Sequence, residues 1–266
     1  MYEAYWSLKE KPFQNTPDPR FLYSSHDHLE AATRLIYAVE QHKGGALLTG
    51  EYGCGKTVIS RLVFEFLSRN KYEIAMITNP LMSSLELLYE ICCQLGIKPE
   101  SDKKTRLLEE LNDRLYETLK AQKETVIIID EAQAIRDRMT FEELRMLLNF
   151  QLNDRFLLSL ILIGQTDLRE TLEENKPLKQ RLAVRYHINP LNREDTEKYI
   201  IHRLTVAGAE RKIFANGTVD IIWESSGGIP RLINTICDAC LLFGFTLKIK
   251  EITRRLAEKA ILDMEL

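Results

Sequence analysis

The stretch GEYGCGKT, Gly50 to Thr57, gathers three glycines, a lysine and a hydroxyl within eight residues. Phosphate is held by closely spaced backbone N–H groups, which bulky side chains would block. Gly50, Gly53 and Gly55 open that backbone into an anion nest, with Glu51, Tyr52 and Cys54 between them. The pattern G-x-x-x-x-G-K-[ST] puts Lys56 within reach of β- and γ-phosphates and lets Thr57 ligate Mg²⁺. A helix is expected to start at the loop and run on through Val58, so its N-terminal dipole adds to the attraction. The bland alternative is a glycine-rich turn. A chance match in a chain of this length is about a one-in-a-hundred event on ordinary residue usage.

A second stretch, VIIIDEAQ (Val126 to Gln133), carries paired acids at the end of an apolar run. Asp130 can hold the water shell of Mg²⁺, and Glu131 can polarise an attacking water. Adjacent acids of this kind suit hydrolysis better than transfer to another acceptor. A solvated turn is the alternative for the pair. Gln165, in LIGQTDL, ends another apolar run, where it can hydrogen-bond an attacking water or simply close a strand. Arg181 and Arg185, in LKQRLAVRYHI, precede Asn189-Pro190 and read as a basic turn of helix.

These residues need a scaffold. ALLTG, YEIAMIT, ETVIIIDEA and FLLSLILIGQ read as strands, the last two rich enough in apolar residues to be buried on both faces. Helical patterns lie between them: SSHDHLEAATRLIYAVEQHKG, KTVISRLVFEFLSRN, SSLELLYEICCQLG closed by Gly96, KKTRLLEELNDRLYETLKAQ and FEELRMLLNFQLN. LRETLEENKPLKQRLAVRY reads as helix broken at Pro177, with a last strand at Tyr186, His187 and Ile188. This alternation predicts an α/β fold, a parallel sheet covered by helices in three αβα layers. After Asn189-Pro190 the strands stop, and four helical segments separated by Gly or Asn-Gly follow. The expected organisation is an N-terminal arm (1–25, with Pro12, Pro17 and Pro19), an α/β nucleotide-binding core (26–190) and a small all-helical domain (191–266).

Composition narrows the class. The chain has 266 residues, 28% of them charged and 45% apolar, with 36 basic and 39 acidic side chains for a net charge of −3. That balance argues against a surface wholly devoted to nucleic acid, leaving room for a local basic patch. No apolar run approaches the ~20 residues of a membrane span, and the start has no signal-peptide core. The expected location is the cytoplasm, with attachment to the inner membrane only through a partner. The five cysteines, an odd number, read as free thiols. Cys237 and Cys240 have redox or metal spacing but sit in an apolar helical pattern, which favours a core role.

The order GEYGCGKT, VIIIDEAQ, LIGQ, LKQRL, GGIPRLIN resembles the AAA+ ATPases. More narrowly, Pro12-Phe13 and Thr16 to Tyr23 (TPDPRFLY) resemble the opening of the general secretion pathway protein A (ExeA-like) family. The resemblance runs from Met1 to about residue 262. It implies an AAA+ P-loop core with a helical lid, clamping ATP and Mg²⁺. It places Lys56 and Thr57 at Walker A, Asp130 and Glu131 at Walker B, and Gln165 at sensor 1, where Asn, Thr or Ser is commoner. It places Arg181 at the arginine finger with Arg185 nearby, and Arg231 of GIPR at sensor 2. Phe21 and Tyr23 fall where such proteins enclose adenine, or else pack the arm. It also implies an ATP-dependent homo-oligomer, a ring or filament, in which one copy supplies its arginine to the next. Several relatives continue into a membrane span and a peptidoglycan-binding domain, so a stand-alone form is expected here.

The resulting expectation is an ATPase that drives or regulates a macromolecular assembly, of bacterial secretion, envelope or exopolysaccharide export. The alternative is a DNA-binding AAA+ regulator of the kind that selects targets for transposases. It draws on Lys248, Lys250, Arg254, Arg255 and Lys259, which equally read as a solvated helix face. A nucleotide-gated switch with little turnover is a third possibility.

Overall fold

The structure is a computed structural model and describes residues 1–16, 18–67 and 71–264. Pro17 of the expected arm, the end of the helix expected through Asn70, and the last two residues lie outside the described residues. Contacts divide the chain into two compact units. One comprises His28–Gly50 and Lys56–Ile188; the other comprises Met1–Asp27, Glu51–Gly55 and the chain from Asn189 onward.

The first unit is built on five strands: β1 (Gly45–Gly50), β2 (Tyr72–Ile77), β3 (Glu124–Ile129), β4 (Leu158–Gly164) and β5 (Leu182–Ile188). Their order is β2-β3-β4-β1-β5, and every pairing is parallel. Parallel neighbours need long crossovers, and helices supply them. These are α2 (Lys56–Phe66), α3 (Ser84–Gln94), α4 (Lys104–Lys120), α5 (Arg138–Leu147), α6 (Asp167–Glu174) and α7 (Lys176–Arg181). The helix α1 (His26–Glu40) precedes β1.

Strand side chains alternate between faces. Leu47, Ile127, Ile129, Leu160 and Leu162 join a core with Leu87, Ile91, Leu107, Leu111, Leu115 and Leu144 of α3, α4 and α5. Leu48, Ile128, Ile161 and Ile163 are buried as well, on the other face of the sheet. Burial on both faces is why these strands lack polar alternation. The α3 helix starts as its sequence suggests, with a capping box between Ser83 and Glu86. It ends before Gly96, whose φ of +78° suits glycine.

Two expectations are corrected. Leu182 to Arg185 belong to β5 rather than to a helix, since pairing with β1 overrides their helical composition. The helix expected through Asn153 stops at Leu147, and the chain turns back through a bridge between Gln151 and Phe156.

The second unit contains α8 (Arg193–Val206), α9 (Thr218–Ser226), α10 (Pro230–Thr246) and α11 (Arg254–Asp263). Its core takes in the first segment of the chain: Tyr2, Trp6, Leu8, Phe13 and Phe21 are buried against Ile200, Ile236, Cys240 and Leu241. Trp6 Nε1 donates to Leu241 O at 2.9 Å. Arg203 is buried and donates to the Pro12 carbonyl at 2.6 Å and the Gln14 carbonyl at 2.8 Å. Cys237 and Cys240 are fully buried, as a core role requires, and burial pushes both thiols up, Cys240 to about 12.

Candidate functional site

In a parallel sheet every strand points its carboxyl end to the same edge, so residues that follow strand ends are neighbours there. That edge carries Gly50 at the end of β1, Asp130 after β3 and Gln165 after β4. Gly50 must lack a side chain: a Cβ there would lie 2.3 Å from Ile188 Cγ2 on β5. Lys56 opens α2 and is only 6% exposed, and its Nζ donates to the Gly50 carbonyl at 2.9 Å. Thr57 is exposed on the first turn of α2, and Val58 beside it is half-buried.

Asp130 is 3% exposed. Its Oδ1 accepts the Glu131 N–H at 2.9 Å, and its Oδ2 accepts the Ser60 hydroxyl of α2 at 3.3 Å. Burial pushes its carboxyl above the ordinary carboxylate range, although the Glu131 N–H, Ser60 and Lys56 all favour the anion. A buried carboxylate held this way, with a threonine hydroxyl on the neighbouring helix, is an all-oxygen donor set of the kind Mg²⁺ prefers.

Glu131 takes the left-handed conformation, with φ 52° and ψ 36°. Such a conformation in a non-glycine residue costs on the order of 1–3 kcal/mol and is retained where the surroundings enforce it. Gln133 holds the Glu131 side chain. Its Nε2 donates to the Glu131 carboxylate, and its Oε1 accepts the Gln165 N–H at 3.0 Å. One side chain thus links the acid after β3 to the residue after β4. Gln133 was not among the candidates read from the sequence; its position in DEAQ, two residues after the second acid, is the only sequence signal for it.

The arginines at the end of this unit are engaged within it. Arg181, at the end of α7, donates through Nη1 to Leu148 O at 2.8 Å. Arg185 lies on the edge strand β5, is exposed, and donates through Nε to Leu182 O at 2.9 Å and through Nη2 to Lys179 O.

The other candidate residues belong to the helical unit. Gly53 and Gly55 have φ of +87° and +89°, the backbone freedom that a phosphate nest needs. A Cβ on Gly53 would lie 2.9 Å from Arg231 Cβ and 3.0 Å from Ile229 Cγ2. Cys54 is buried, and its N–H donates to Glu51 O at 3.3 Å. Arg231, in the first turn of α10, lies over the Tyr52 ring at 4.6 Å and donates to its hydroxyl. Phe21 and Tyr23 both pack against α8. Phe21 is buried under the Arg203 guanidinium at 5.1 Å, while Tyr23 donates to Asp195 at 3.1 Å and meets Tyr199 edge-on.

Residues 39–172, half of the chain, match the AAA domain model. The chain belongs to the AAA domain family. These are P-loop ATPases, and the parallel five-stranded sheet and nucleotide loop are the family's. Within it, the chain is 39% identical over 248 residues to general secretion pathway protein A of Aeromonas hydrophila. The match takes in 92% of this chain but 45% of that protein, so the chain spans less than half of its relative's length. Among solved structures, the ORC2 protein of Aeropyrum pernix matches with a TM-score of 0.68 at 14% identity, over 96% of this chain and 72% of that one. Drosophila ORC bound to DNA matches with a TM-score of 0.72 at 18% identity, over 96% of this chain and 64% of that one. The RuvB Holliday junction branch migration motor of Thermotoga maritima matches with 0.61 at 15% identity, over 91% of this chain and 72% of that one. At these identities the structural matches establish the AAA+ fold alone. No helix among the described residues is long and apolar enough to cross a membrane.

Proposed function

We propose that this AAA domain hydrolyses ATP with Mg²⁺ and uses the cycle to drive or regulate a protein assembly of bacterial secretion or envelope export. The observation that carries the hydrolytic reading is the pair at the end of β3: a buried Asp130 followed by Glu131 in a left-handed backbone conformation. The loop Gly50 to Thr57 binds the phosphates through its N–H groups. Lys56 leaves the Gly50 carbonyl, its partner in this structure, for a phosphate oxygen. Thr57 and Asp130 would hold Mg²⁺, which supplies positive charge against the phosphate oxygens when bound. Glu131 accepts a proton from the attacking water, Gln165 helps to orient that water, and Arg231 reads the γ-phosphate.

Arg181 and Arg185 are proposed to serve the site of a neighbouring copy. Arg185 is the more exposed, and each arginine must release its present carbonyl partners first. A trans arginine implies a homo-oligomer. The secretion assignment rests on the likeness to general secretion pathway protein A, and the client on nothing closer. The DNA-regulator reading draws less support. Of the basic residues invoked for it, Arg254 is paired with Glu258, and Lys248 lies over the Phe245 and Tyr5 rings.

The test is Mg²⁺-dependent phosphate release from ATP by the wild type and by Glu131→Gln. Turnover lost in the variant, with nucleotide binding retained, supports the proposal. Equal turnover in both would remove Glu131 from the chemistry, and no Mg²⁺-dependent phosphate release by the wild type would remove the hydrolytic reading.

A further inference from the structure

Arg231 stands where a cation is poorly placed for the helix that carries it. It lies in the first turn of α10, which has Pro230 ahead of it, no acidic residue in that turn and no side-chain cap. The amino end of a helix dipole repels positive charge. Arg231 therefore serves a partner outside the helix. In this structure the partner is Tyr52 of the phosphate loop. The guanidinium sits over the ring at 4.6 Å, and Nη1 donates to the hydroxyl. Tyr52 is itself 58% exposed, so core burial does not hold its ring in place. Gly53 has no side chain where Arg231 Cβ and Ile229 approach, and this closeness lets the preceding residue of the loop, Tyr52, reach the guanidinium.

We propose that Tyr52 parks Arg231 when no triphosphate is bound, and that the γ-phosphate of ATP must displace Tyr52 to engage it. Tyr52 thereby sets the discrimination between ATP and ADP. The inference rests on the reading of Arg231 as the γ-phosphate contact. ADP offers no γ-phosphate and leaves the parked pair intact. ATP exchanges a cation–π contact and a hydrogen bond to an uncharged hydroxyl for a hydrogen bond to an anionic phosphate oxygen, and its net affinity is reduced by the worth of the parked state.

Affinities of Mg²⁺·ATP and Mg²⁺·ADP are measured by calorimetry on the full chain carrying Glu131→Gln, with Tyr52→Leu, Arg231→Ala or both added. Tyr52→Leu is expected to tighten ATP about two- to five-fold, the worth of an exposed cation–π contact, and to leave ADP unchanged. Arg231→Ala is expected to abolish the ATP preference, and adding Tyr52→Leu should then change nothing more. If Arg231→Ala leaves the ATP-to-ADP ratio as it was, the γ-phosphate reading fails and the parking proposal with it. If that ratio collapses while Tyr52→Leu leaves ATP affinity unchanged, or shifts ATP and ADP equally, only the parking proposal fails.

Discussion

Gln133 offers the most quantitative prediction about the site. Its amide joins the Glu131 carboxylate to the Gln165 N–H, and it is half-buried. Gln133→Met keeps the length and volume of the side chain but removes both hydrogen bonds. A hydrogen bond to a charged group is worth about 1.5–3 kcal/mol, and a neutral one about 0.5–1.5 kcal/mol. The neutral bond, to the Gln165 backbone, is expected to appear mainly as lost stability. If Glu131 needs the charged one to hold its place in the transition state, its loss lowers kcat about ten- to a hundred-fold. KM for ATP should stay within about three-fold, because positioning an acid for the chemical step differs from binding the substrate. The assay is steady-state phosphate release across an ATP series. A kcat within two-fold of wild type, measured where Glu131→Gln abolishes turnover, would refute the positioning argument. A rise in kcat would show that the bond restrains Glu131 instead.

Three further outcomes follow from the same contacts. Arg181→Ala and Arg185→Ala together should spare ATP binding and lower turnover about 10³–10⁵-fold, as for other trans arginines; turnover that survives the pair of changes removes the finger assignment. With Cys93 exposed, Cys54, Cys92, Cys237 and Cys240 buried, and burial pushing Cys92 and Cys240 up to about 12, a disulfide reagent at pH 8 should titrate one thiol quickly and five after denaturation. Only about one in ten thousand of a thiol with that pKa is thiolate at pH 8, so a second fast thiol would contradict the buried placement. Trp6→Ala should destabilise the helical unit by about 3–5 kcal/mol in a denaturant titration, the usual cost of removing a buried aromatic; an unchanged midpoint would mean that the first residues do not belong to its core.

The phosphate loop and the paired acids were legible in the sequence because their chemistry forces local spacing. Glycines, lysine and threonine must lie on one turn, and an acid that follows a strand must follow its apolar run directly. Strands buried on both faces were legible for the same reason, since VIII and LILI leave no polar face. The start of β5 was not. LAVR carries good helix formers and a half-exposed pattern, and only its pairing with β1 makes it a strand. The burial of Tyr2, Trp6 and Phe13 was hidden as well, because proline-rich irregular chain carries no periodicity to show which side is covered. Gln133 was missed because its role depends on two strand ends being neighbours in the sheet, a relation of topology and not of spacing.

If ATP is hydrolysed at a site completed by a second copy of the chain, two variants that are inactive alone should restore activity when mixed. Glu131→Gln keeps both arginines but lacks the base. The double variant Arg181→Ala, Arg185→Ala keeps the base but lacks the arginines. Each alone should release little phosphate. In an equal mixture assembled head to tail at random, about a quarter of the interfaces pair an intact Glu131 with intact arginines. Phosphate release should therefore recover to about that fraction of the wild-type rate. A mixture no more active than its inactive parts would contradict a site shared between copies.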